Sequence, residues 1–215
     1  PKLATQPLKE DYLLTGKLEQ TNMSYAIAKI AGIKLCSALK TQYGFDAISL
    51  MPTNLYGIGD NYSPSNSHVL PSMIRKFHEA KNKGLREVNC WGTGNPKREF
   101  LYVDDLAEAS VYILEQVSIN NKNLYDADNN FSGIINVGVG IDISIKELAY
   151  LIASIVGFSG KIIWDKSRPD GTPRKLLDIS KINDLGWSAK TSLKKGIKLT
   201  LESYINGLET RTTRF

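Results

Sequence analysis

Hydrophobic and polar positions alternate along this chain in blocks that predict helices separated by short strands. After a polar, loop-like start over residues 1–21, with Pro1-Lys2-Leu3-Ala4 reading as the inside of a loop, Ala26, Ala28, Ala31, Leu35, Ala38 and Leu39 predict a helix over 22–42. Thr21 or Asn22 can cap it, and Gly44 stops it. The apolar run 47–51, closed by Pro52, predicts a buried strand, and an irregular polar loop follows over 56–66. The next elements are a helix over 69–83, a strand over 88–91, a Gly92-Thr93-Gly94-Asn95-Pro96 turn and a strand over 98–103. Asp104 or Asp105 can cap a helix running to Gln116, and the Asn-rich stretch 118–132 reads as a surface excursion. Strands are predicted at 134–137 and 161–164. Ser144 with Glu147 forms a capping-box signature for a helix ending near Gly157. A rigid charged turn over 168–175 and helices over 180–185 and 192–207 complete the pattern. Strands alternating with helices predict an α/β fold, and no internal repeat is visible.

Composition narrows the partners. Among 215 residues, 27 Lys and Arg against 22 Asp and Glu leave a net charge of +5, and the pI near 9.1 admits an anionic partner. The basic residues are scattered, without a basic tract or an aromatic nucleic-acid motif, so no nucleic-acid partner is expected. A phosphorylated small molecule suits the same charge. No apolar run approaches the ~18 residues of a membrane span, so no membrane partner is expected either. Cys36 and Cys90 stand alone, without a CxxC or a Cys/His cluster. That predicts reduced thiols in a cytoplasmic protein, and no metal site.

Four groups of residues carry candidate chemistry. Tyr25 and Lys29, at i and i+4, share one helix face. An ammonium beside a phenol favours the ionised form and makes a tyrosine usable as an acid or base, although an ordinary amphipathic helix gives the same spacing. His68 lies at a loop-to-helix boundary, where it can serve as an acid, a base or merely a surface residue. His78, among Glu79 and Lys81, reads as surface. Trp91 and Arg98 can pack a ring and pair a phosphate, or can be a core indole and a strand-edge charge. Asp170, Arg174 and Lys175 sit on a proline-stiffened turn that can equally be a solvated loop. The Gly138-Val139-Gly140 segment is not a dinucleotide fingerprint. The third small residue is replaced by Ile143, and the helix begins too late to face a pyrophosphate.

Taken together, Ser24-Tyr-Ala-Ile-Ala-Lys29, Met51-Pro-Thr-Asn-Leu-Tyr-Gly57, Pro64-Ser-Asn-Ser-His68, Arg98-Glu-Phe-Leu-Tyr-Val-Asp-Asp105 and Pro169-Asp-Gly-Thr-Pro-Arg-Lys175 resemble the GDP-L-fucose synthase family of the extended short-chain dehydrogenase/reductases. The resemblance implies the C-terminal part of a Rossmann-like NAD(P)-binding fold plus a smaller α/β substrate-binding domain. Residues 1–60 would belong to the cofactor half and 61–215 mainly to the substrate half, with 98–116 returning to the former. It implies NADPH-dependent epimerisation at C3 and C5 and reduction at C4 of GDP-4-keto-6-deoxy-D-mannose. Catalysis would fall to Tyr25, Lys29 and His68. Cofactor contacts would come from Lys29, Pro52, Thr53, Asn54, Leu55 and His68. GDP-sugar contacts would come from Lys76, Trp91, Arg98, Asp170 and Lys175. A homodimer in the cytoplasm is implied as well. The family's Gly-rich loop and its catalytic serine and cysteine would fall before residue 1, so the chain reads as N-terminally truncated and is expected to have little activity alone. Another nucleotide-sugar epimerase or dehydratase, and a non-catalytic sugar-nucleotide-binding module, are the alternatives.

Overall fold

The computed structural model describes residues 1, 3–126 and 128–215. Lys2 of the opening stretch and Ala127 of the Asn-rich stretch lie outside the described residues. The elements run α1 (Met23–Tyr43), β1 (Ser49–Pro52), β2 (Asn54–Tyr56), α2 (Val69–Asn82), β3 (Glu87–Trp91), β4 (Lys97–Tyr102), α3 (Val103–Gln116), β5 (Ile134–Val137), β6 (Asp142–Ser144), α4 (Ile145–Val156), β7 (Lys161–Asp165), β8 (Arg174–Lys175), α5 (Ser180–Asp184) and α6 (Leu193–Thr210). The chain forms two compact units. One is built from 1–53, 106–140 and 175–189, the other from 54–105, 141–174 and 190–215.

In the first unit β1 and β5 pair in parallel, Ser49 opposite Ile134 and Pro52 opposite Val137. All four residues of β5 are buried, and Ile113, Leu124, Ile182 and Trp187 are buried in the same unit. Asn136 of β5 is 2% exposed and is held by three hydrogen bonds. Its backbone N–H donates to Glu10 Oε1 at 2.9 Å, and its amide Nδ2 donates to the Leu8 and Asp178 carbonyls at 2.9 and 3.1 Å. This one side chain fastens two loops to a central strand, because a buried amide must find partners. Helix α1 has no buried residue, and Tyr25, Ile27 and Leu35 stand exposed on it.

The second unit holds two sheets and three helices. Strands β2, β4 and β6 form one sheet. The β2–β4 pair is parallel and β4–β6 antiparallel. Strands β3 and β7 pair in parallel, Trp91 opposite Asp165. Leu70, Ile74 and Phe77 of α2, Leu148, Ile152 and Val156 of α4, and Ile197 and Tyr204 of α6 make one apolar core. Buried Asp105 accepts from the Thr191 backbone N–H and its hydroxyl, both at 2.9 Å.

Parallel strands linked by helices make the fold α/β, as the pattern predicts. Several local expectations change. Thr21 and Asn22 give α1 no side-chain cap. The 47–51 run forms a strand only from Ser49 and is half-buried. Asp104 and Asp105 lie inside the first turn of α3 rather than capping it, because the helix starts at Val103. The Asn-rich stretch buries Leu124 completely. Three-residue strands β2 and β6 are too short for any periodicity to reveal. The capping box of α4 is formed, with the Glu147 N–H donating to Ser144 Oγ and the Ser144 N–H donating to Glu147 Oε2.

Candidate functional site

In the first unit, one turn of α1 separates Tyr25 from Lys29, and the Lys29 Nζ lies 5.6 Å from the phenol ring centroid. Tyr25 is 61% exposed, so its hydroxyl can meet a ligand. Pro52 ends β1, and the next N–H, that of Thr53, donates to the Val137 carbonyl at 3.0 Å. This is the carboxyl end of a parallel strand pair, where ligands of open α/β sheets bind. An exposed phenol with a neighbouring ammonium fits the hydroxyls and carbonyl of a nicotinamide nucleotide. Lys175 belongs to this unit and is exposed.

The second unit carries a cleft of about 220 Å³ lined by Asn54, Trp91, Arg98, Ile145, Pro169 and Asp170, among others. Alternation along β3 turns Val88 and Cys90 inward and leaves Trp91 outward. That exposure excludes the core-indole role. Lys76 of α2 places its Nζ 5.4 Å from the Trp91 ring centroid. Asn54 of β2 is fixed by donating its Nδ2 to the Glu99 carbonyl at 2.8 Å, and Leu55 beside it is half-buried.

Arg98 on β4 is half-buried, and burial pushes its guanidinium pKa down. Its Nη1 donates to the Lys97 carbonyl at 2.7 Å, and among the described residues it has no ion pair with a carboxylate. The carboxylate on the same cleft, Asp170, is engaged elsewhere. Its Oδ1 accepts from the Thr93 N–H at 2.9 Å and its Oδ2 from the Thr93 hydroxyl at 2.6 Å. Those bonds hold the Asp170 carboxyl below its usual range. Gly171 lets the loop lie against Arg98, since a Cβ there would come within 3.1 Å of Nη2. Arg174, by contrast, is paired with Asp142 through its Nε.

His68 is the exposed N-cap residue of α2, and it does not line the cleft. The loop before it is fastened. Asn61 Oδ1 accepts from the Ser63 N–H at 3.0 Å, and the Tyr62 N–H donates to the Arg214 carbonyl at 2.8 Å. Burial pushes the neighbouring Asp60 carboxyl up, against the Asn61 N–H at 2.7 Å and the charges of His68 and Arg214, which favour its ionised form. His78 is half-buried rather than on the surface, edge-on to Tyr204 at 5.3 Å. Its burial lowers its pKa.

The structure thus brings together Tyr25 with Lys29 in one unit, and Asn54, Trp91, Arg98 and Asp170, with Lys76 on Trp91, in the other. The sequence reading missed Thr93 as the partner of Asp170. Its only signal is a hydroxyl residue inside the glycine-rich turn. Among the described residues no His, Cys, Asp and Glu cluster could hold a metal, and no helix is long and apolar enough to cross a membrane.

A Rossmann-like α/β chain with a Tyr-x-x-x-Lys helix and a cationic, indole-bearing cleft defines a class of nucleotide-dependent proteins. The chain belongs to the NAD dependent epimerase/dehydratase family, whose pattern matches residues 1–138. It is 53% identical over 210 residues to a probable GDP-L-fucose synthase of Oryza sativa subsp. japonica, covering 97% of this chain and 60% of the relative. It is 50% identical over 205 residues to the GDP-L-fucose synthase of Escherichia coli strain K12, covering 95% of this chain and 63% of that one. The fold matches a solved GDP-mannoheptose C4 reductase from Campylobacter jejuni with NADP bound. The TM-score is 0.81 at 41% identity, over 95% of this chain and 64% of that one. The chain therefore spans less than two thirds of the length of these relatives.

Proposed function

We propose that the protein carrying this chain is a GDP-L-fucose synthase, which epimerises GDP-4-keto-6-deoxy-D-mannose at C3 and C5 and reduces it at C4. The observation that carries this reading is Arg98, a half-buried guanidinium without a carboxylate partner, beside an exposed indole. A desolvated cation of that kind suits a diphosphate, and the indole suits an apolar ring face. The names of the relatives at about half identity support the sugar.

In this reading residues 1–60 serve the cofactor and 61–215 mainly the GDP-sugar, with 98–116 returning to the cofactor half. Lys76, Trp91, Arg98, Asp170 and Lys175 hold the substrate. Lys29, Pro52, Thr53, Asn54, Leu55 and His68 face the cofactor. A C4 ketone acidifies the hydrogens at C3 and C5, so that a base can take each as a proton and leave an enolate, and His68 is the acid that gives a proton back to the enolate carbon. The chemistry that NADPH supplies when bound is hydride to C4. The Tyr25 hydroxyl protonates the C4 oxygen, with the Lys29 ammonium 5.6 Å from its ring centroid. A homodimer and a cytoplasmic setting belong to the same proposal.

Calorimetric titration of the chain with GDP tests the cleft. Wild type is expected to bind and Arg98→Ala to lose about tenfold or more, the scale of a charge-assisted contact. Equal binding by both would overturn the reading. The similarity to a GDP-mannoheptose reductase favours a second reading, reduction without epimerisation. Product analysis separates the two, since only the first inverts C3 and C5.

A further inference from the structure

Trp91 is 66% exposed at the cleft, and two cations lie against its ring. Lys76 Nζ is 5.4 Å from the ring centroid, and the Arg168 guanidinium carbon is 5.2 Å from it. The fold builds the second contact. Asp165 of β7 pairs in register with Trp91, and its carbonyl accepts from the Gly92 N–H at 2.9 Å. The Asp165 carboxylate accepts from the Ser167 N–H at 3.0 Å and the Ser167 hydroxyl at 2.6 Å, and the Arg168 N–H turns back to the Asp165 carbonyl at 3.3 Å. A four-residue turn, Asp165 to Arg168, thus starts opposite Trp91 and ends with a guanidinium over its ring.

Like charges gathered on one ring repel each other unless an anion lies between them. Asp170, the one carboxylate among the described cleft-lining residues, is occupied by Thr93. The carboxylate of Asp165 is turned to Ser167, with Arg168 a lesser influence on it. None of Lys76, Arg98 and Arg168 forms an ion pair among the described residues. A guanidinium over an indole engages its face and leaves its N–H edge free for a phosphate.

We propose that Arg168 is a further ligand-recognition residue, a third cation beside Lys76 and Arg98 for the diphosphate of a nucleoside diphosphate, held ready by Trp91. This rests on the reading of the cleft given above. The test is GDP titration of wild-type chain, Arg168→Gln and Arg168→Lys at low and high NaCl. Arg168→Gln is expected to weaken GDP about five- to tenfold at low salt, with the ratio shrinking toward one at high salt as exposed charges are screened. Arg168→Lys should keep part of the affinity. Unchanged affinity in Arg168→Gln overturns this inference alone. So does a loss that salt does not alter, since that marks a packing defect. Failure of wild type to bind GDP overturns the nucleotide reading together with it.

Discussion

Gly92 joins β3 to the turn that holds Asp170, and Gly92→Ala probes that latch directly. Gly92 has φ +79°, in the left-handed region. An L side chain there costs about 1–2 kcal/mol, from which the stiffer unfolded chain returns about 0.4–1 kcal/mol. The net destabilisation from the backbone alone is about 1 kcal/mol, a fall of roughly 2–4 °C in melting temperature for a chain of this size. The second effect is local. A Cβ on residue 92 would overlap Asp170 Oδ1, the oxygen that accepts from the Thr93 N–H. The flexible element must give way, so Asp170 leaves Thr93 and the 169–171 wall of the cleft shifts with it.

Thermal unfolding followed by circular dichroism, paired with GDP calorimetry, reads both effects. Gly92→Ala is expected to lower the melting temperature by that amount and to weaken GDP several-fold. Thr93→Val removes the hydroxyl that donates to Asp170 Oδ2 and should weaken GDP by itself. Because both changes break one latch, the double variant should lose less than the two losses combined. Full additivity, or a Gly92→Ala chain that binds GDP like wild type, would refute the latch as the device that shapes the cleft.

Two further outcomes follow from buried groups. Asn136→Leu removes two side-chain hydrogen bonds and leaves the Leu8 and Asp178 carbonyls without them, at a cost of about 2–3 kcal/mol in urea unfolding; a change under about 0.5 kcal/mol would show that neither carbonyl depends on the amide. Burial raises the phenol pKa of Tyr56 and Tyr62 and pushes that of Tyr204 up to about 12, so above pH 10 the unfolded chain loses phenolic protons that the folded chain keeps. Stability present below pH 10 is therefore lost as pH rises toward 12. Tyr204→Phe should flatten that loss, and urea midpoints between pH 8 and 12 check it.

Local chemistry made parts of this molecule legible from sequence. Ser144 and Glu147 announce the start of α4 because both partners of a capping box lie within one turn. Tyr25 and Lys29 announce a shared face for the same reason of spacing. Nothing local reveals that Thr93 and Asp170 meet, since 77 positions separate them and each sits in a turn that is ordinary by itself. The three interleaved segments of each compact unit are likewise set by strand pairings far apart in sequence, such as Ser49 with Ile134 and Cys90 with Trp164. Arg98 shows the division most clearly. Its residue type suggested phosphate from the start, yet an arginine on a strand edge is usually solvated or paired. What suits it to the recognition role proposed for it is tertiary. Burial lowers its guanidinium pKa, Gly171 lets a loop close against it, and the nearby carboxylate is already committed to Thr93. The cation left over by that arrangement is what fits the cleft to the diphosphate of the proposed substrate.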